Sequence, residues 1–404
     1  MSLFEKEKLN FTHLVNKKDH QLSDEKINRK YITGKTRIVT EQARYPLTAI
    51  VGMIDSNDYE LNPDFQRRHR WNRQKQSRLI ESFIMNVPIP PIFLYEDSFS
   101  HYEVMDGIQR LMAIYKFYRD ELILEGLDEW VELNGKKYSQ LPEQVKRGVD
   151  RRYLSSIILL YETAKNKDEA QRLKQMVFER INSGGVELKG QESRNAIHDG
   201  PLNQLCLKLS RNRYLCQMWN IPESTEEFKN GVISDELMKN DTYNKMDDVE
   251  LVLRFFAYRQ RLDYESIQNL KDYLDNYLKY ANKHFSDEVL KQLEDLFNRT
   301  IQLVYELFEK KAFYRWQQRK DKWIWINRPT KMIYDPMMYV FSQHIEKAEL
   351  IIQHKEAFKE GIKEFYQNNA AKLNKSATSI SMFREHCQLF ENFVTNIIGS
   401  THGR

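Results

Sequence analysis

Val104-Met105-Asp106-Gly107-Ile108-Gln109-Arg110-Leu111 decides how the N-terminal half of this chain is read. Before it, Ile92-Phe93-Leu94-Tyr95 and His101-Tyr102-Glu103-Val104-Met105 lie either side of a polar turn and read as a strand hairpin. After it, Leu111, Ile114, Tyr115 and Tyr118 recur at helical spacing. The stretch therefore marks a strand turning into a helix. A glycine at such a junction lets the backbone approach a ligand closely. The first helical turn offers N–H groups and a positive dipole end, which suit a phosphate. Arg110 adds a guanidinium fork that can hold a phosphate with two bonds. Asp106 could receive a hydroxyl, a metal ion or a neighbouring arginine, and it suits metal or water and the helix N-cap equally well.

The segments around this junction read as a compact mixed domain. Pro46 to Ile54 suggests a short helix, and Pro63 keeps the segment Tyr59 to Asn62 extended. A helix is expected from Asn72, a good N-cap, with Leu79, Ile80, Phe83, Ile84 and Val87 on one face and Pro88, Pro90 and Pro91 as its stop. Leu122-Ile123-Leu124 is expected to be a strand, Asn134-Gly135 a tight turn, Pro142 to Asp150 a helix and Ser155 to Tyr161 a buried strand. Asp168 to Ile181 is an amphipathic helix that stops at Asn182-Ser183-Gly184-Gly185, and Gln191 to His198 is another helix. Beyond about residue 200 the strands largely disappear. Long helical segments are expected at 247–260, 267–283, 288–308, 345–367 and 379–398.

With 404 residues the chain can hold two or three domains. Only 14 glycines and 10 prolines favour helices over a strand-rich sandwich, and 22 tyrosines with 21 phenylalanines argue against disorder. No apolar run is long enough to span a bilayer, and Met1 to Lys18 lacks a signal-peptide core. Cys206, Cys216 and Cys387 have neither metal-ligand spacing nor the look of a disulfide framework, so a reducing, cytoplasmic compartment is expected. The formal net charge of +4 does not by itself imply nucleic acid.

The order of several blocks carries a family resemblance. Asn62-Pro63-Asp64-Phe65-Gln66-Arg67-Arg68 runs into Trp71, then Leu79-Ile80-Glu81-Ser82, Pro88-Ile89-Pro90-Pro91-Ile92 and the Asp106 stretch. Val177 to Gly185 and Gln191-Glu192-Ser193-Arg194-Asn195-Ala196 follow. Residues 35–215 resemble the N-terminal domain family of the GmrSD-type modified-DNA restriction enzymes, with a fainter echo at Met246 to Phe255. The resemblance implies an α+β domain of ParB/sulfiredoxin-like fold that binds, and in some relatives hydrolyses, nucleoside triphosphates. It also implies a place in bacterial defence against phage, with modified DNA as what is sensed. In two-part relatives a separate nuclease domain of His-Asn-His type cuts. Two departures stand out. The family motif is Asp-Gly-Gln-Gln-Arg, whereas this chain has Ile108 at the third position, and no nuclease motif is found after residue 215. His198-Asp199-Gly200-Pro201 reads as a helix-end turn and not as a metal site.

The expected organisation is thus a polar lead-in (1–34), a nucleotide-binding domain (35–215) and an all-helical domain (216–404). Arg110, Gly107 and Arg67 are expected at the phosphates, Gln66 and Gln109 beside them, and Asp106 at Mg²⁺ or water, with Asp106 and Arg110 in the catalytic role. Asn182 and the glycine amides that follow it are expected near the base or ribose, with a plain helix end as the other explanation, while Arg194 and Glu192 are expected to brace or reach the site and are structural without the resemblance. No Walker A loop is present. In the helical half, residues 310–331 carry eight basic side chains against Asp321 alone, interleaved with Phe313, Tyr314, Trp316, Trp323 and Trp325. Arg315, Arg319, Lys320 and Lys322 are expected to contact DNA, while the aromatics are better explained as core. The function expected is a nucleoside-triphosphate-binding and hydrolysing component of an anti-phage restriction system, working with a separate nuclease or defence protein. A non-catalytic DNA-binding or adaptor protein on the same fold, or a ParB-like nickase, is the alternative. Phosphate release abolished by Arg110→Ala, salt-steep DNA retention without turnover, and metal-dependent plasmid nicking separate the three.

Overall fold

Hydrophobic alternation and proline placement divide the N-terminal half into strands and helices much as expected. The structure, a computed structural model, describes residues 3–10, 23–32, 38–61, 71–160, 167–182, 190–198, 200–223, 234–264, 269–320, 322–373 and 379–399. Contacts group the chain into two units, residues 18–197 and residues 198–404 together with 1–17.

In the first unit, β1 (Thr40–Pro46), β2 (Tyr59–Glu60), β3 (Ile92–Ser98), β4 (His101–Asp106) and β5 (Tyr153–Leu159) form one sheet in the order β1-β5-β3-β4-β2. β3 pairs antiparallel with β4 and parallel with β5, and the short β2 runs parallel to β4. Ile92, Leu94, Val104, Leu154 and Ile158 point to one face and meet Leu79, Ile80 and Phe83 of the Arg73–Met85 helix and Leu111, Ile114 and Phe117 of the Ile108–Tyr118 helix. On the other face Lys174, from the Lys167–Asn182 helix, pairs with Glu103 of β4 and lies over the Tyr95 ring of β3.

The helix boundaries follow from local chemistry. Asn72 caps the Arg73–Met85 helix by accepting the Lys75 N–H at 2.8 Å. The helix ends at Asn86, which sits in the left-handed region at φ 61°, before the prolines are reached. Leu122 to Leu124 is not a strand. Leu124 exchanges backbone bonds only with Lys136 and Gly135, and the segment belongs to an irregular excursion that buries Leu122, Leu124, Leu127 and Leu133. That excursion is fastened by Glu81, which is 3% exposed and accepts the N–H groups of Glu129 at 2.8 Å, Trp130 at 2.9 Å and Asp128 at 3.3 Å.

Among its described residues the second unit is helical except for one ribbon, so the expectation of an all-helical region is corrected: β6 (Trp316–Arg319) and β7 (Lys322–Trp325) pair antiparallel. The helices Asp247–Tyr258, Leu270–His284, Asp287–Phe308, Lys331–Gln343 and Ile380–Gly399 surround a core that includes Phe256, Phe297, Tyr334, Phe341 and Phe390. The segment 345–367 is broken, not continuous. It turns at Ile345–Lys347, runs from Ala348 to Gln353, and restarts at Lys355 after His354 donates Nδ1–H to the Leu350 carbonyl at 2.8 Å. A buried ionic chain joins two of the helices: Arg254 binds Asp335 and the Tyr258 hydroxyl, and Lys331 binds Asp247 and Glu250. Residues 3–10 of the polar lead-in pack into this unit, where buried Glu7 pairs with Arg259 at 2.6 Å.

Burial raises the Glu81 carboxyl, but the three N–H donors outweigh it and hold it below the ordinary 4.5. Glu81→Gln is expected to lower unfolding free energy at neutral pH by about 2–3 kcal/mol in denaturant titrations. A carboxylate whose folded value is depressed stabilises above its unfolded value, so the gap between wild type and variant should close as pH falls below 4.5.

Candidate functional site

The β4-to-helix junction is built by a bulge followed by a glycine. Phe93 of β3 pairs with Asp106 while Leu94 pairs with Val104, so Met105 is an extra residue in β4. Such bulges re-aim the side chains next to them. Gly107 then adopts φ 101° and ψ 7° and starts the Ile108–Tyr118 helix. A Cβ at this position would lie 2.3 Å from Cγ2 and 2.9 Å from Cβ of Ile92. The glycine therefore serves the packing of the helix onto β3, with the place of its missing Cβ turned toward Ile92.

Asp106 does not cap the helix. The start at Gly107 has no side-chain cap, and the Asp106 carboxylate instead accepts Arg110 Nη2 at 2.6 Å. Arg110 Nη1 donates to the Pro90 carbonyl at 2.5 Å. The Arg110 side chain is 12% exposed and that of Asp106 40%, so the pair sits at the edge of the fold. The proline run that ends the preceding segment thus supplies an acceptor that sequence reasoning missed. An X-Pro-Pro stretch entering a strand is extended, which leaves carbonyls without ladder partners and is the signal that was available.

Gln109 points elsewhere. Its Oε1 accepts the Trp71 N–H at 3.0 Å, and Gln76 donates to the Trp71 carbonyl at 2.6 Å. Trp71 packs against the hydrophobic core, with the Lys75 ammonium over its ring. Gln109 thereby fixes the chain at the point where residues 62–70 end. Gln66 and Arg67 lie outside the described residues. Ile108 is 4% exposed within the core, which explains why an apolar residue serves where the related motif has glutamine.

Arg194 is 3% exposed and donates to Gln191 on its own Gly190–Ile197 helix at 3.1 Å. Asn182 ends the Lys167–Asn182 helix, and its side chain lies outside what is described, as do Gly184 and Gly185. The structure thus brings Asp106 and Arg110 together beside Gly107, turns Gln109 to Trp71, and records no hydrogen bond from Arg194 to the Asp106–Arg110 pair among the described residues. In the second unit, the His198 carbonyl accepts Asn282 Nδ2 at 2.9 Å, and Asn282 Oδ1 accepts Leu202 N–H at 2.9 Å. The His198–Pro201 stretch therefore ends one helix and starts the next. Among the described residues no group of three or more His, Cys, Asp or Glu side chains could hold a metal, and no helix is long and apolar enough to cross a membrane. All three cysteines are buried. Arg315 is half-buried with Nη1 3.5 Å from the Leu373 carbonyl, and burial together with Arg328 and Arg319 pushes its pKa down. Arg319, Lys320 and Lys322 are exposed around the end of the β6–β7 ribbon.

Residues 47–198 match the family model described as GmrSD restriction endonuclease, N-terminal domain. No curated protein and no solved structure matches the chain.

Gly107→Ala is expected to destabilise the first unit by about 2–4 kcal/mol, the sum of a strained backbone and an overpacked contact. Adding Ile92→Ala should recover the contact part but not the backbone part, which a double-mutant cycle in denaturant reads directly.

Proposed function

Residues 47–198 match the model of the GmrSD restriction endonuclease N-terminal domain, and we propose that this domain binds a nucleoside triphosphate at the β4-to-helix junction. In this reading the protein is a component of a modified-DNA restriction system, and the domain has the ParB/sulfiredoxin-like fold. The observation that carries the proposal is an eleven-residue helix whose N-terminus has no side-chain cap, with a guanidinium one turn inside it. Backbone N–H groups and the helix dipole favour an anion there, and Arg110 adds a planar fork that fits phosphate oxygens.

The present partners of Arg110 describe what binding would exchange. Phosphate oxygens would take over the guanidinium N–H groups now given to Asp106 and Pro90. Asp106 would then face the ligand with an unpaired carboxylate. A magnesium ion carried by a triphosphate needs one or two protein carboxylates beside the phosphates, and Asp106 can supply one. It would neutralise phosphate charge. Arg67, four positions before Trp71 in the sequence, would add a second cation, with Gln66 orienting it. Asn182 and Arg194 would complete the base or ribose side. Hydrolysis is the further step, with Asp106 holding the attacking water and Arg110 stabilising transferred charge. Cutting of DNA is assigned to a separate nuclease.

The competing reading is that Arg110 is only a clamp between β4 and the Pro90 segment, and its two internal hydrogen bonds favour that reading. Thermal shift separates them. A nucleoside triphosphate at a hundred times its Kd should stabilise the wild type by about 2.7 kcal/mol. Arg110→Ala should abolish the nucleotide-dependent shift, and Arg110→Lys should keep part of it. A variant that melts earlier without nucleotide yet shows the full shift with it makes Arg110 a clamp. No shift with any nucleotide at millimolar concentration, with or without Mg²⁺, overturns the proposal.

A further inference from the structure

The β6–β7 ribbon has two unlike faces. Trp316 pairs with Trp325 and Gln318 with Trp323 on one side, while Gln317 pairs with Ile324 and Arg319 with Lys322 on the other. The tryptophan side is fastened down. The Trp316 and Trp325 rings are 5.3 Å apart, the Trp325 ring meets buried Tyr366 edge-on at 6.0 Å, and the Lys363 ammonium lies 5.1 Å from the Trp316 ring centre. Tyr366 is itself locked by a hydrogen bond to the Tyr314 carbonyl at 3.1 Å. The other side is open, with Ile324 42% exposed and Arg319 and Lys322 both exposed.

The charge at the ribbon's end has no explanation inside the fold. Arg319 and Lys322 stand directly opposite each other, an arrangement that destabilises a two-strand pair. Lys320 follows at φ 53° in the turn. Among the described residues no side chain pairs with any of the three. Lysines do protect exposed strand edges from aggregation. One or two charges suffice for that, whereas Lys310, Lys311 and Arg328 are exposed around the foot of the same ribbon as well.

We infer that the β6–β7 ribbon contacts the sugar-phosphate backbone of a nucleic-acid duplex through Arg319, Lys320 and Lys322. A two-stranded ribbon fits the major groove of B-form DNA. Single-strand binding relies on aromatic faces open to bases, and the Trp316 and Trp325 rings are spent on each other, Tyr366 and Lys363. The tryptophans hold the ribbon in place and the cations meet phosphates. This inference is independent of nucleotide binding at Arg110.

Fluorescence anisotropy of a labelled duplex against the full chain, across a salt series, tests it. Each phosphate neutralised adds roughly 0.9 to the slope of log K against log salt. The Arg319→Ala/Lys320→Ala/Lys322→Ala variant should bind more weakly with a slope shallower by about 2–3. The charge-preserving Arg319→Lys/Lys322→Arg variant should keep the wild-type slope. The charge-preserving variant should melt as the wild type does and the alanine variant no earlier, and both should keep any nucleotide-dependent shift, so loss of one activity is separable from loss of the other. The inference fails if the triple alanine variant keeps wild-type affinity and slope, or if the wild type retains no duplex. It fails too if a single strand of the same sequence, or anionic lipid vesicles, bind more tightly than the duplex.

Discussion

Ile92 occupies the space where a side chain at position 107 would stand, and the candidate site follows from that contact. The helix after β4 begins hard against β3 because only a residue without Cβ fits there at positive φ. Arg110, one turn along, is then close enough to the segment entering β3 to reach the Pro90 carbonyl, and the bulge at Met105 turns Asp106 to meet it. The core and the site are thus set by one packing decision. Ile108, Leu111 and Ile114 bury the inner side of the helix, and Arg110 is left at the margin.

A guanidinium that already holds a carboxylate and a carbonyl is not an empty anion trap. Its internal partners set a threshold that a ligand must exceed. Many phosphate oxygens acting together with the backbone N–H groups of the helix start can meet it, whereas a single weak anion competes poorly. The internal pair also spares the protein an unpaired, largely buried charge, which would be destabilising. The second unit handles charge differently. Arg254, Asp335, Glu250 and Lys331 are joined across helices and mostly out of water, and serve to fix how those helices register.

Local chemistry in the sequence was enough to find the strand-to-helix junction, the Asn72 cap, the Asn134-Gly135 turn and most helices, because each rests on neighbours a few residues apart. What escaped it depended on distant partners. Nothing near Glu81 says that three N–H groups some 48 residues away will converge on it. Leu122-Ile123-Leu124 has strand composition, but a strand needs a ladder, and only Leu124 finds bonds with Lys136 and Gly135. The β6–β7 ribbon was hidden because Trp-Gln-Gln-Arg and Lys-Trp-Ile-Trp are short and lie among helical segments. At the site, Asp106 next to a glycine fitted an N-cap, a ligand-facing carboxylate or a partner for a neighbouring arginine, and the distance to Arg110 was needed to choose the last for the unliganded structure. The glycine was legible at the junction, but its packing against Ile92 was not, since Ile92 lies on another strand.

The pairing of Glu7 with Arg259 spans 252 positions of chain, and both side chains are nearly out of water. The polypeptide enters the helical unit, leaves it to make the sheet, and comes back. On the ribosome, Glu7 therefore emerges long before its cation is made, and must stay hydrated through the synthesis of the whole sheet. The helical unit can close only once its latest partners have been translated, so the sheet, although later in starting, is the first of the two that can complete itself.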